Sequence, residues 1–317
     1  MDIVICTDNN YVMPSGVLIC SICENNKTEK IRFHIVGNET LSDESKQSLS
    51  EISGSYHQEI HFYCADDSLN SLLPVGKERQ PKHITVAAYY RLFLASILPA
   101  NIDKVLYLDC DIIVRHNLNE LWNTDITDYA VGCVTDGSDG LISYYNRLRY
   151  PQFLGYFNSG VLLINLAYWR RYKVQDESLD FLKKYPERIQ FHDQDVLNYV
   201  LREKKKALPF KYNVQDGFLR EKLDLSWEYE EELEEAIRDP WIIHYCGGKK
   251  PWTKGCTHPF KSDFFKYRQL TKWRNRPLLK CDVKPIIKRK VRVFLGALGV
   301  MSKAKLNNYR NDIKLPL

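Results

Sequence analysis

The chain has 317 residues, 44% of them hydrophobic and 27% charged. That composition supports one large α/β domain, or a domain with an appendage, and excludes wholesale disorder. The formal charge of +5 is small for this length, so no nucleic-acid partner is expected.

Strand and helix signals alternate through the first two-thirds. Ile3 to Cys6 reads as a short buried strand ending in the polar turn Thr7-Asp8-Asn9-Asn10. Met13 to Glu24 reads as a helix and Ile31 to Val36 as a strand. Ser42 caps a helix running through Ile52, with Glu44 in its first turn. Ile60 to Cys64 is a third strand, and Val86 to Leu98 a mainly apolar helix. Val105 to Val114 reads as one strand interrupted by two aspartates. Tyr129 to Val134 and Gly160 to Asn165 are further strands. Such alternation predicts a Rossmann-like α/β fold, a mostly parallel sheet with helices on both faces. In such sheets ligands sit at the carboxyl ends of strands.

Beyond Leu166 the pattern changes. Helices are expected over Asp176 to Lys184, Gln194 to Glu203 and the acidic run Tyr229 to Arg238, and Trp241 to Cys246 returns to strand. The expected catalytic domain covers residues 1–258, and a basic, helical C-terminal region covers 259–317. There Lys280, Lys284, Lys288, Arg289, Lys290 and Arg292 surround Pro285-Ile286-Ile287 and Val293-Phe294-Leu295. This mixture suits either attachment to an anionic membrane surface or a basic helix packed on the domain.

The nine cysteines sit mostly in apolar runs, as reduced thiols do. Cys20-x-x-Cys23 has no second such pair and reads as two thiols on one helix face. The N-terminus lacks a basic n-region, and the longest apolar candidate, Val293 to Met301, is far below the roughly 20 residues of a membrane span. A cytoplasmic location is expected, with peripheral association at the inner face of the membrane if the tail binds lipid.

The central chemical signal is Asp109-Cys110-Asp111, flanked by Val105-Leu106-Tyr107-Leu108 and Ile112-Ile113-Val114. Two like charges inside an apolar run are costly without compensation. In an extended chain, residues two apart face the same side, so both carboxylates can meet one divalent cation such as Mn²⁺ or Mg²⁺. A second signal is His244-Tyr245-Cys246-Gly247-Gly248-Lys249-Lys250 at the end of an apolar strand. His244 reads as a third ligand, Gly247 and Gly248 allow close backbone approach, and Lys250 can pair with a diphosphate. Phe157-Asn158-Ser159-Gly160 and His192-Asp193-Gln194-Asp195 are polar clusters at element ends, suited to a polyhydroxylated ligand. A helix cap explains Asp193 equally well on local grounds. Arg91 reads as a partner for the aspartates, a donor-sugar contact or an ordinary surface arginine.

Together these segments resemble glycosyltransferase family 8, whose members include bacterial lipopolysaccharide and lipooligosaccharide hexosyltransferases and the glycogenins. The likeness runs from Met1 to about Thr257 and is strongest toward the α-galactosyltransferases. The resemblance implies a GT-A fold, a UDP-hexose donor, Mn²⁺ and retention of anomeric configuration, with a glycan acceptor that may be lipid-linked in the family's manner. By position it assigns Asp109, Asp111 and His244 to the metal. Asp8, Asn10, Tyr11 and Cys6 fall to the nucleoside, and Gly247 and Lys250 to the diphosphate. Arg91, Asp109, Asn158, Asp193 and Gln194 fall to the donor sugar, and His83 and Asp136 to the acceptor side. Two mechanisms retain configuration: same-face attack, or double displacement through Asp193 or Gln194. An amide is a poor nucleophile, which favours the first. Cys6-Thr7 before Asp8 and the loop Gly137 to Gln152 depart from the family pattern. A nucleotidyltransferase and a catalytically idle nucleotide-sugar-binding module are the competing readings; the former usually carries a Gly-rich basic loop where this chain has Asp8-Asn9-Asn10-Tyr11.

Overall fold

The computed structural model describes residues 1–65, 86–225, 229–280, 308–310 and 312–313. In chain order the described elements are β1 (Asp2–Cys6), α1 (Val12–Asn25), β2 (Arg32–Gly37), α2 (Asp43–Ser55), β3 (Glu59–Cys64), α3 (Leu94–Ile97), β4 (Lys104–Leu108), β5 (Ile112–Val114), α4 (Asn119–Trp122), β6 (Val131–Thr135) and α5 (Ile142–Leu148). They continue with β7 (Phe157–Asn165), α6 (Leu166–Arg171), α7 (Val174–Lys184), α8 (His192–Leu201), β8 (Lys205–Ala207), β9 (Val214–Gln215), α9 (Glu230–Arg238), β10 (Ile242–His244) and α10 (Lys261–Arg268).

Seven strands form the main sheet in the order β3-β2-β1-β4-β7-β6-β8. β1, β2, β3 and β4 are mutually parallel, and β7 runs antiparallel between β4 and β6. The sheet is mostly parallel and covered on both faces, as the alternating sequence predicts. Its central strands are buried on both sides: Ile3, Val4, Ile5, Val105, Leu106 and Leu108 have no exposed surface. One core joins the sheet to α1, α2, α9 and α10, and the other joins it to the 86–93 segment and α5 to α8. α1 is buried almost all round, including Cys20 and Cys23, which are free thiols.

The strand expected from Gly160 begins at Phe157, so Asn158 and Ser159 lie within β7, and two further expectations differ in kind. The strand expected over Val105 to Val114 is two strands in two sheets. β4 belongs to the main sheet, while β5 pairs with β10 in a second sheet ordered β5-β10-β9. Asp109 to Asp111 are the crossing between them. The Asp109 N–H still donates to Gly160 O at 2.9 Å, and the Asp111 carbonyl accepts from Tyr245 N–H at 2.9 Å. Each aspartate thus keeps a ladder bond, but on a different sheet. The second difference lies at Val86 to Leu98, which is a 3-10 helix over Val86–Phe93 followed by the single turn α3. Tyr89, Tyr90, Arg91, Leu92 and Phe93 in succession are buried there.

His83 and most of the basic tail, including Lys284 to Arg292, lie outside the described residues. Before that tail, α10 packs against α1 and places Phe264 and Tyr267 in the first core. Gly16 on α1 permits the approach of the following segment: a Cβ there would lie 2.2 Å from a Trp273 ring carbon. Among the described residues no helix is long and apolar enough to cross a membrane.

Phe264 is 1% exposed and its ring centroid lies 5.2 Å from that of Trp252. Phe264→Ala is expected to lower unfolding free energy by about 3–5 kcal/mol in denaturant titration. A loss below about 1 kcal/mol would mean that α10 contributes little to the catalytic unit.

Candidate active site

β1 and β4 are neighbours in the sheet, yet the chain leaves β1 toward β2 on the other side. This is the switch point at which doubly wound sheets open a crevice. Asp8 follows β1 and Asp109 follows β4 there. The resulting cleft holds about 530 Å³ and is lined by Cys6, Asp8, Tyr11, Arg91, Asp109, Asp111, Asp136, Asn158, Asp193, Gln194, His244, Gly247 and Lys250 among others. Every described residue assigned from sequence lines it except Asn10, which is exposed at the rim.

At the centre, Asp109, Asp111 and His244 offer ligand atoms all within 4.8 Å of one another. His244 Nε2 lies 3.7 Å from Asp109 Oδ2 and 3.3 Å from Asp111 Oδ1. The other carboxylate oxygens face protein. Asp109 Oδ1 accepts from Arg91 Nη2 and the Tyr107 hydroxyl, both at 2.7 Å. Asp111 Oδ2 accepts from Lys250 Nζ, which also donates to Tyr245 O at 2.6 Å. Cys110 points the opposite way, its thiol donating to Cys6 O at 3.0 Å. The sequence reading of a shared side therefore reaches the right convergence by a different backbone route, the crossing between sheets.

Electrostatics follow from this crowding. Burial works against the Asp111 carboxylate, but Lys250 and His244 beside it hold its pKa well below the usual range. Burial likewise disfavours the His244 cation, yet Cys246 and Asp111 outweigh it and raise the imidazole well above its ordinary value. Two hard carboxylate oxygens and one borderline nitrogen are a donor set that fits a divalent cation. Asp109, Asp111 and His244 would hold it.

The polar wall beside this cluster is built from the start of β7 and the start of α8. Arg91, 4% exposed, joins the two parts: its Nε is 3.0 Å from Asp193 Oδ2, and Nη1 donates to Ser159 O at 2.5 Å. Burial pushes Asp193 up to about 6 even with Arg91 opposing. Gln194 Oε1 accepts from Ser159 N–H at 3.0 Å and from Asn158 Nδ2 at 3.2 Å. Gln194 Nε2 donates to Asp136 Oδ2 and to the Tyr156 hydroxyl, both at 3.2 Å. Asp136 thus stands with Asn158 and Gln194, and burial raises its pKa. At the far end, Asp8 Oδ1 accepts from the N–H of Asn10 at 2.8 Å and of Tyr11 at 3.2 Å, fixing the turn after β1.

Sequence reasoning did not single out Tyr107, Gly160 or Asn213. Tyr107 reads as an ordinary strand aromatic. Gly160 closes a polar motif but marks a steric need visible only in three dimensions. A Cβ there would sit 2.1 Å from His244 Cε1 and 2.9 Å from Asp109 Oδ2. Asn213 carries no local signal.

A switch-point cleft with an Asp–Asp–His cluster at its centre and a hydrogen-bonded polar wall beside it is the arrangement of a GT-A-type glycosyltransferase. The profile described as glycosyl transferase family 8 matches residues 2–256, and the chain belongs to that family. It is 32% identical over 292 residues to a lipopolysaccharide 1,2-glucosyltransferase of Escherichia coli, covering 91% of this chain and 84% of that one. It is 28% identical over 278 residues to general stress protein A of Bacillus subtilis, covering 86% and 94%. Its fold is similar to that of the galactosyltransferase LgtC, solved with donor and acceptor sugar analogues, at a TM-score of 0.77 and 27% identity over 86% of this chain and 99% of LgtC. The chain is accordingly a divalent-metal-dependent hexosyltransferase that acts on a glycan acceptor. The nucleotidyltransferase and idle-module readings fall away.

Gly160→Ala is expected to keep the fold yet weaken divalent-cation binding and turnover by about 10-fold or more, since its methyl group displaces His244 or Asp109. Cation titration followed by circular dichroism checks this, and unaltered affinity would contradict the steric assignment.

Proposed function

We propose that the chain moves galactose or glucose from a UDP-sugar, with retention, onto lipopolysaccharide or another surface glycan, and that Mn²⁺ is its preferred cation with Mg²⁺ as a substitute. The carrying observation is the Asp109–Asp111–His244 cluster beside Lys250, contiguous with the Asn158–Asp193–Gln194 wall. The activities of the relatives, a lipopolysaccharide glucosyltransferase and a galactosyltransferase, support the donor and acceptor classes.

In this reading Cys6, Asp8, Asn10 and Tyr11 bind the nucleoside, and Gly247 lets the backbone approach the diphosphate. The bound cation supplies Lewis-acid neutralisation of charge on the departing UDP. Lys250 leaves Asp111 to add its ammonium to the diphosphate. Arg91, Asn158 and Asp193 hold the sugar hydroxyls, and Asp136 borders the acceptor side with His83. The acceptor hydroxyl enters on the face that UDP leaves, and a UDP oxygen takes its proton. Gln194 Oε1 already accepts from the Ser159 and Asn158 N–H groups, which leaves it little nucleophilic character and favours same-face attack over double displacement. A trapped sugar adduct on Asp193 would reverse that preference.

The acceptor reaches the enzyme at the cytoplasmic face of a membrane, and the basic tail beyond α10 is the attachment element, acting as a region apart from the catalytic unit, which extends past residue 258 to include α10. Lys288, Arg289, Lys290 and Arg292 carry the charge. Replacing all four by Glu should abolish flotation of the full chain with anionic vesicles while leaving UDP release intact. Unchanged flotation would remove the membrane proposal.

A panel of UDP-sugars assayed for UDP release with Mn²⁺ and with EDTA tests the function. Release with UDP-galactose or UDP-glucose should require the cation, and Asp109→Asn should reduce it by about 100-fold or more. Near-normal turnover by that variant would defeat the metal assignment.

A further inference from the structure

Metal affinity depends on which imidazole nitrogen faces the cation, and His244 stands at the end of a directional chain of hydrogen bonds that decides this. The chain begins at a backbone group that can only donate. Gly160 N–H points at the side chain of Asn158 at 3.0 Å, so the atom it meets is the acceptor Oδ1. The other end of the Asn158 amide agrees, because Nδ2 faces the Asp136 carboxylate at 3.2 Å. The same Asn158 Oδ1 receives a second contact from Asn213 at 3.0 Å, which must therefore come from Asn213 Nδ2. Asn213 Oδ1 is then turned toward His244 Nδ1, 3.0 Å away. An acceptor there requires the proton to be on Nδ1. Nε2, which faces Asp109 and Asp111, is left with its lone pair free for a cation in the neutral ring.

Asn213 suits this role. It has no exposed surface, so water does not compete for either end of its amide. It lies between the 3-10 turn Phe210–Tyr212 and β9, and β9 pairs in parallel with β10 so that Gln215 stands opposite His244. Register in the second sheet thus sets the separation of Asn213 and His244, independently of the loops around the cleft.

We propose that Asn213 is a positioning residue for the metal site, holding His244 in the tautomer and ring orientation that present Nε2 to the cation. This rests on the reading of Asp109, Asp111 and His244 as metal ligands. It adds a consequence: through Asn158, which also donates to Gln194 Oε1 at 3.2 Å, the cation end and the sugar wall share one hydrogen-bond network.

The test is direct Mn²⁺ binding by electron paramagnetic resonance in wild type, Asp109→Asn, Asn213→Leu and Asn213→Asp, without substrate. Asn213→Leu is expected to weaken Mn²⁺ binding by about 10–100-fold, as loss of an outer partner to a ligating histidine does. Asn213→Asp, which keeps an acceptor toward Nδ1 but loses the donor to Asn158 Oδ1, should weaken binding less than Asn213→Leu does. Equal affinity in wild type and Asn213→Leu overturns the proposal. Equal affinity in wild type and Asp109→Asn overturns the metal-ligand reading itself, and the proposal with it. Should Asn213→Leu fail to fold, the wild type decides. In Cd²⁺-loaded protein labelled with ¹⁵N-histidine, the His244 signal, assigned by its loss in His244→Gln, should show a protonated Nδ1 and a metal-bonded Nε2. The reverse pattern contradicts the assignment.

Discussion

Repulsion between the carboxylates of Asp109 and Asp111 is the constraint around which the rest of this molecule is arranged. Two negative charges brought this close in a half-buried setting are unfavourable unless countercharge is fixed nearby. The fold supplies it from several directions. Arg91 arrives from the 3-10 segment before α3, Lys250 from the loop after β10, and His244 from β10 itself. Each carboxylate spends one oxygen on a protein cation and turns the other toward His244. That division leaves a defined face for one more positive charge, the face on which a divalent cation and a diphosphate would meet.

Arg91 carries the same electrostatics into the neighbouring wall. Its guanidinium spans Asp109 and Asp193 and rests 4.4 Å from the Tyr107 ring centroid. Because a guanidinium is planar and rigid, the separation of the two carboxylates is set by one side chain. The Asp109–Asp111 end and the Asp193 end of the cleft are therefore held in one geometry before any ligand enters, which lowers the ordering cost of binding.

Much of this was legible in the sequence. Periodicity and turn residues located β1, α1, β2 and β3 to within a residue and α2 to within three, and Ser42 caps α2 as its spacing predicts, accepting from Ser45 N–H at 3.2 Å. The apolar flanks of Asp109-Cys110-Asp111 and the glycine-lysine run after His244 marked the residues that converge in the cleft because those patterns are local. What stayed hidden depends on the third dimension. The two aspartates interrupt the apolar run between Leu108 and Ile112, but no local pattern says that the chain changes sheet there, since both flanks are buried strands. Gly160 and Asn213 matter only because a distant histidine lands beside them, and no spacing rule joins positions 160, 213 and 244.

The most direct test of the account is anomalous diffraction at the manganese edge from crystals holding Mn²⁺ and a non-hydrolysable UDP-hexose analogue. The account predicts a single strong peak bonded to Asp109, Asp111 and His244 Nε2, with both phosphates of the analogue on it. A bound analogue whose diphosphate is held by side chains alone, with no peak among those three residues, would contradict it.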